Sequence, residues 1–137
     1  MPDKRKEKGR AMLKIQPVRD EERRETFLST HGMPMEQRFA VLEAVENGIC
    51  TGSLVFSREG ERAVLWSIFF GEDQTLLDGL VRAAASIAMD AGAKTVECET
   101  AALFEVLSSV GFHKIGDKMV INLPQFFQRC CAGRNPR

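Results

Sequence analysis

The feature that most constrains this chain is an apolar run, AVLWSIFF (63–70), followed at once by a long amphipathic stretch and then by a second β-prone run, KTVECE (94–99). A strand that is apolar on both faces belongs in the middle of a sheet, covered on both sides. Residues 75–91 place Leu76, Leu77, Leu80, Val81, Ala84, Ile87, Ala88 and Ala91 on one stripe at helical spacing, with Asp78, Arg82, Ser86 and Asp90 opposite. Gly92 is positioned to end that helix in a left-handed conformation. Two parallel strands need a long crossover, and a strand–helix–strand succession supplies one.

The flanking segments extend the pattern. MLKIQPVR (12–19) reads as a first strand with Leu13, Ile15 and Val18 facing inward, and Asp20 as the cap of a helix over EERRETFLST. HGMPME (31–36) is punctuated by Gly32 and Pro34 and reads as a loop. RFAVLEAV (38–45) and ICTGSLVFS (49–57) flank Asn47-Gly48, a strong hairpin signal, and a second turn at REGE (58–61) leads into the apolar run, completing an antiparallel meander. After KTVECE comes a helix over ETAALFEVLSSVGF, then a final hairpin over HKIGDKMVINL (113–123). The order is β α β β β α β α β β, an α/β (α+β) chain with a mixed, mostly antiparallel sheet of six to seven strands and helices on both faces.

A chain of 137 residues suits one domain with a real core. Residues 1–11 read as a basic, disordered leader, 12–123 as the folded domain, and 124–137 as an extension docked by Phe126 and Phe127. Formal net charge is zero, yet between residues 11 and 128 acids outnumber bases 17 to 11. An acidic body excludes nucleic acid as its partner and attracts cations such as amines. No apolar stretch approaches the roughly 20 residues that cross a membrane, so the cytoplasm is the expected location. Cys50, Cys98, Cys130 and Cys131 lack metal-ligand spacing and read as reduced thiols, so no metal is expected. Without a Walker loop, a dinucleotide fingerprint or a nucleophile elbow, NTPase, dehydrogenase and hydrolase readings fall away.

Three stretches, MLKIQPVRDEE, ENGICTGSLVF with ERAVLWSIFF, and AGAKTVECETAALFEVLSSVGFHKIGD, give the chain a resemblance to the GNAT superfamily of N-acetyltransferases. The resemblance implies a seven-stranded sheet whose fourth and fifth strands splay, with acetyl-CoA as co-substrate. It would place pantetheine along the backbone of Ile68, Phe69 and Phe70, and pyrophosphate on the helix start, from Thr75, Leu76, Leu77 and Asp78 to Gly79. It also implies transfer of an acetyl group to a small-molecule or peptide amine, and leaves a homodimer open.

The chain departs from that family at two places. The family's phosphate loop, Gln/Arg-x-x-Gly-x-Gly/Ala, meets Glu72, Thr75 and Leu77, so its glycine pair is missing, and Thr75 with Asp78 fits a capping box instead. The Tyr that many members use as general acid meets Leu107, and the chain has no Tyr; Ser108 is the adjacent hydroxyl. For a base, Glu97 and Glu99 share one face of the strand at 94–99. His31, His113, Trp66, Phe69 and Phe70 are further candidates for base or stacking roles, each with an ordinary structural reading. Two classes stay open: an acyl-CoA-dependent N-acyltransferase, and a non-catalytic GNAT-fold binding or regulatory module that has lost the phosphate loop. A dimerisation module using the Phe126/Phe127 tail is a third.

Overall fold

The structure is a computed structural model that describes residues 13–127. Its elements are β1 (Leu13–Pro17), α1 (Glu21–Thr30), β2 (Ala40–Glu46), β3 (Ile49–Glu59), β4 (Arg62–Phe69), α2 (Gln74–Asp90), β5 (Thr95–Cys98), a 3₁₀ turn (Ala101–Leu103) running into α3 (Phe104–Ser108), β6 (His113–Ile115) and β7 (Lys118–Asn122). Residues 123–127 are helical. The basic leader, Cys130 and Cys131 lie outside the described residues. The strands form one seven-stranded sheet in the order β1-β2-β3-β4-β5-β7-β6.

β4 stands at the centre, as its apolarity requires, with Ala63, Val64, Leu65 and Ile68 buried. It pairs parallel with β5 through Arg62↔Thr95, Ala63↔Val96 and Val64↔Glu97, and then continues to Phe69 beyond that register. β1 and β2, β5 and β7, and β6 and β7 pair antiparallel. Asn47 and Gly48 both take positive φ, 55° and 81°, as a two-residue hairpin turn demands.

The chain clusters into two compact units, one of residues up to Val55 with Ile68–Ala83, the other of Phe56–Ser67 with residues from Ala84 onward. In the first, Leu28, Val41, Leu42, Leu54, Leu77 and Leu80 are buried. Glu43 is buried with them, and its carboxylate takes both Arg23 nitrogens and Gln16 Nε2. In the second, Val96, Cys98, Leu107, Ile121, Leu123 and Phe126 are buried. The Phe126 ring lies beside Gly111.

Two sequence expectations shift. Leu13 is exposed, because β1 is an edge strand paired only with β2, and the first inward anchor is Val18. In α2 the inward stripe uses Ala85 in place of Ile87, so the later turns are seated through the small side chains Ala84, Ala85 and Ala88 while Ile87 stands outside.

The tightest packing in the first unit is at Gly52. A Cβ there would lie 2.7 Å from Phe69 O and 2.9 Å from Leu76 Cδ2. The backbone oxygen cannot yield without moving β4. Gly52→Ala is therefore expected to destabilise the fold by about 1–3 kcal/mol in urea unfolding, the usual cost of overpacking.

Candidate functional site

A cleft of about 290 Å³ lies in the first unit between α1, β3 and the end of β4. Thr26, Phe27 and Thr30 come from α1, Cys50, Thr51, Gly52 and Ser53 from β3, and Phe69 from β4. One helical turn separates Thr26 from Thr30, which puts both on the same face. His31 stands at the C-cap of α1, its backbone N–H bonded to Phe27 O. Its ring stacks on Phe69 with centroids 4.0 Å apart and planes 9° from parallel, and its Nε2 lies 2.7 Å from Ser53 Oγ.

Among the described residues, no acidic or basic side chain lines the cleft. Burial pushes the His31 imidazole down to about 4, so the ring is neutral at neutral pH. Three of the lining hydroxyls are already donors: Thr26 Oγ1 to Glu22 O at 3.1 Å, Thr30 Oγ1 to Thr26 O at 3.0 Å, Thr51 Oγ1 to Ala44 O at 3.4 Å. Sequence reasoning names His31 and Phe69 separately and passes over Ser53. What could have joined them is the inward register of Ser53 on a buried strand.

The start of α2 is built differently from its expected form. Gly71 and Glu72 both have positive φ, 56° and 63°, and Asp73 N bonds back to Phe70 O, so the turn is tight. The helix then begins at Gln74, and Asp73 is its cap: its carboxylate takes the Leu76 N–H at 3.2 Å and its carbonyl the Leu77 N–H at 3.0 Å. Thr75 falls two places too late to cap, and Asp78 instead pairs with Arg82 one turn on, which corrects the Thr75/Asp78 capping box. Leu76 and Leu77 bury their side chains. Gly79 admits the Ile15 side chain, whose Cδ1 lies 2.9 Å from where a Cβ would stand.

Glu97, Glu99 and Ser108 belong to the second unit. Glu97 is buried and receives Arg62 Nη1 at 2.8 Å, Lys118 Nζ at 2.8 Å and Thr95 Oγ1 at 3.1 Å. Burial alone would raise its carboxyl, but the bonds from Lys118, Arg62 and Thr95 outweigh that and hold it below the usual range. An anion so fully engaged is a poor proton acceptor. Glu99, past the end of β5, is exposed and lies 3.6 Å from Arg62. Ser108 is exposed at the end of α3, next to the buried Leu107. Burial raises the Cys98 thiol, as befits a small core residue. Among the described residues, no cluster of His, Cys, Asp and Glu is arranged to hold a metal ion, and no helix is long and apolar enough to cross a membrane.

No protein-family model and no curated protein matches this sequence. Solved structures do match its backbone. The ribosomal-protein-S18-alanine N-acetyltransferase of Escherichia coli superposes with a TM-score of 0.61 at 16% identity, over 82% of this chain and 94% of that one. The IAA acetyltransferase of Bacillus cereus gives 0.62 at 14%, over 81% and 99%. YhhK of E. coli, solved with coenzyme A bound, gives 0.61 at 12%, over 80% and 98%. The fold is that of the GNAT N-acetyltransferases. The GNAT resemblance puts a pyrophosphate at the N-terminus of α2. In this chain the Asp73 carboxylate already takes the Leu76 N–H there, beside Glu72, so a diphosphate must displace that cap and meet negative charge.

Two outcomes are expected. Asp73→Ala removes a cap and should cost about 1 kcal/mol in chemical unfolding, while Asp73→Ser should restore most of it. His31 has a depressed folded-state value, so the unfolded chain binds a proton that the folded chain refuses. Stability contributed by neutral His31 is thus present above about 6.5 and is lost as pH falls toward 4. In NMR, the His31 imidazole should titrate near 4; titration near 6.5 would contradict the stacked, buried ring.

Proposed function

We propose that this protein is a GNAT-type N-acyltransferase, passing an acetyl group from acetyl-CoA to a small-molecule or peptide amine. The observation that carries this reading is the central strand pair. β4 and β5 pair in parallel only through Val64↔Glu97, and β4 runs on to Phe69 with a cleft at that end. The CoA-bound structure of the same fold supports the choice of donor. On this reading Ile68, Phe69 and Phe70 offer backbone to the donor's pantetheine arm. The helix start, Thr75 to Gly79, receives its phosphates only when Asp73 releases Leu76 N–H. Glu99, which is exposed, is the proposed base in place of the ion-paired Glu97, and Ser108 the proposed hydroxyl. Free thiols at Cys50 and Cys98 suit a reducing compartment such as the cytoplasm.

The Asp73 cap favours a second reading, a GNAT-fold binding or regulatory module without catalysis. Thermal unfolding separates the two. Acetyl-CoA or desulfo-CoA at about 100 times its Kd should stabilise the protein by roughly 2.7 kcal/mol, with ATP inert, and chromatography should show free CoA accumulating when amines are added. No change in melting temperature at millimolar acetyl-CoA would overturn the acyltransferase reading and leave the module.

A further inference from the structure

The cleft of the first unit offers hydrogen-bond acceptors without charge. Because Thr26, Thr30 and Thr51 each give their hydroxyl proton to a backbone carbonyl, what remains to a ligand is their oxygen lone pairs. Two aromatic rings, Phe27 and Phe69, supply apolar walls. A ligand that matches this lining has a flat apolar body and an N–H donor. Charge decides which kind of N–H. A cation entering the cleft loses its water and meets no carboxylate among the described lining residues. The ring of Phe27 already carries the Arg23 guanidinium at 5.6 Å, which opposes a second cation there. Among the described residues, the ionisable groups at the cleft are the Cys50 thiol, the Arg23 guanidinium on the Phe27 ring and, behind Ser53 and Phe69, the neutral His31.

We infer that this cleft selects an uncharged aromatic amine, an arylamine whose nitrogen is not protonated at neutral pH, over an alkylammonium of the same size. As a ligand class the inference stands on the cleft alone; as an acceptor class it rests on the acyltransferase reading. It also answers a difficulty in that reading. An arylamine already carries its lone pair, so no base is needed before attack; the N–H proton it sheds on acylation goes to the departing CoA thiolate, and the buried carboxylate Glu97, tied up in ion pairs, is not called on. The acidic exterior suggested cationic amines; the cleft itself selects against them.

The test is an NMR titration of the full chain at pH 7.4, without acyl donor, using 4-methylaniline and, separately, protonated 4-methylbenzylamine. 4-Methylaniline is expected to shift the amides of Thr51, Gly52 and Ser53 and to bind at least about tenfold tighter than the benzylammonium, the difference being the cost of desolvating an unpaired cation. Thr51→Val, which keeps the shape and removes the oxygen, should weaken 4-methylaniline roughly fivefold, as loss of one hydrogen bond does, with an otherwise unchanged spectrum. Equal or tighter benzylammonium binding overturns the inference, and so does an arylamine that shifts no cleft residue. Failure of the acyltransferase reading looks different: this titration succeeds while acetyl-CoA leaves the melting temperature unmoved.

Discussion

Everything near the candidate site follows from β4 and β5 running in the same direction. A parallel pair cannot be closed by a hairpin, so the chain must leave the end of β4, travel back and re-enter at Thr95. The return is α2, 17 residues long, and Leu76, Leu77, Leu80 and Val81 anchor its first half. Such a helix starts with exposed backbone donors that need an acceptor. The GNAT resemblance implies a coenzyme's phosphate as that acceptor; this chain brings its own carboxylate, that of Asp73. The tight turn at Gly71 and Glu72 delivers Asp73 to the cap position. One constraint of topology thus fixes where an anion is wanted, and one side chain meets the want.

Charge is partitioned with similar economy. Among the described residues two carboxylates are buried and each is fully engaged, Glu43 by Arg23 and Gln16, Glu97 by Arg62, Lys118 and Thr95. Removing one partner from such a group strands a buried charge, which is far costlier than the pair is stabilising. The cleft, by contrast, is lined by hydroxyls, a thiol and two aromatic rings. Its polarity is that of acceptors already committed as donors elsewhere. An acidic protein can therefore own an uncharged binding cleft.

Local rules made much of this legible. Asn47-Gly48 fixed a hairpin because both residues must take positive φ, and Asp20 fixed a helix start because its side chain reaches the Arg23 N–H. The apolar run at 63–70 fixed the central strand. What stayed hidden was set by contacts across the chain. His31 meets Ser53 and Phe69 only after α1, β3 and β4 are packed. Glu97 looks like an ordinary surface acid until Arg62 and Lys118, distant in sequence, close around it. The helix cap was missed for a smaller reason. α2 begins at Gln74, so its cap is Asp73, two residues before Thr75.

The central claim is that Asp73 sits where a coenzyme's phosphate would. Calorimetric titration of desulfo-CoA into the wild-type protein and into Asp73→Asn tests it most directly, since Asn keeps the capping oxygen and removes the charge. The variant should bind roughly threefold to tenfold tighter, the range that one carboxylate at a helix N-terminus commands. Equal or weaker binding by the variant, or binding by neither protein, would contradict the claim.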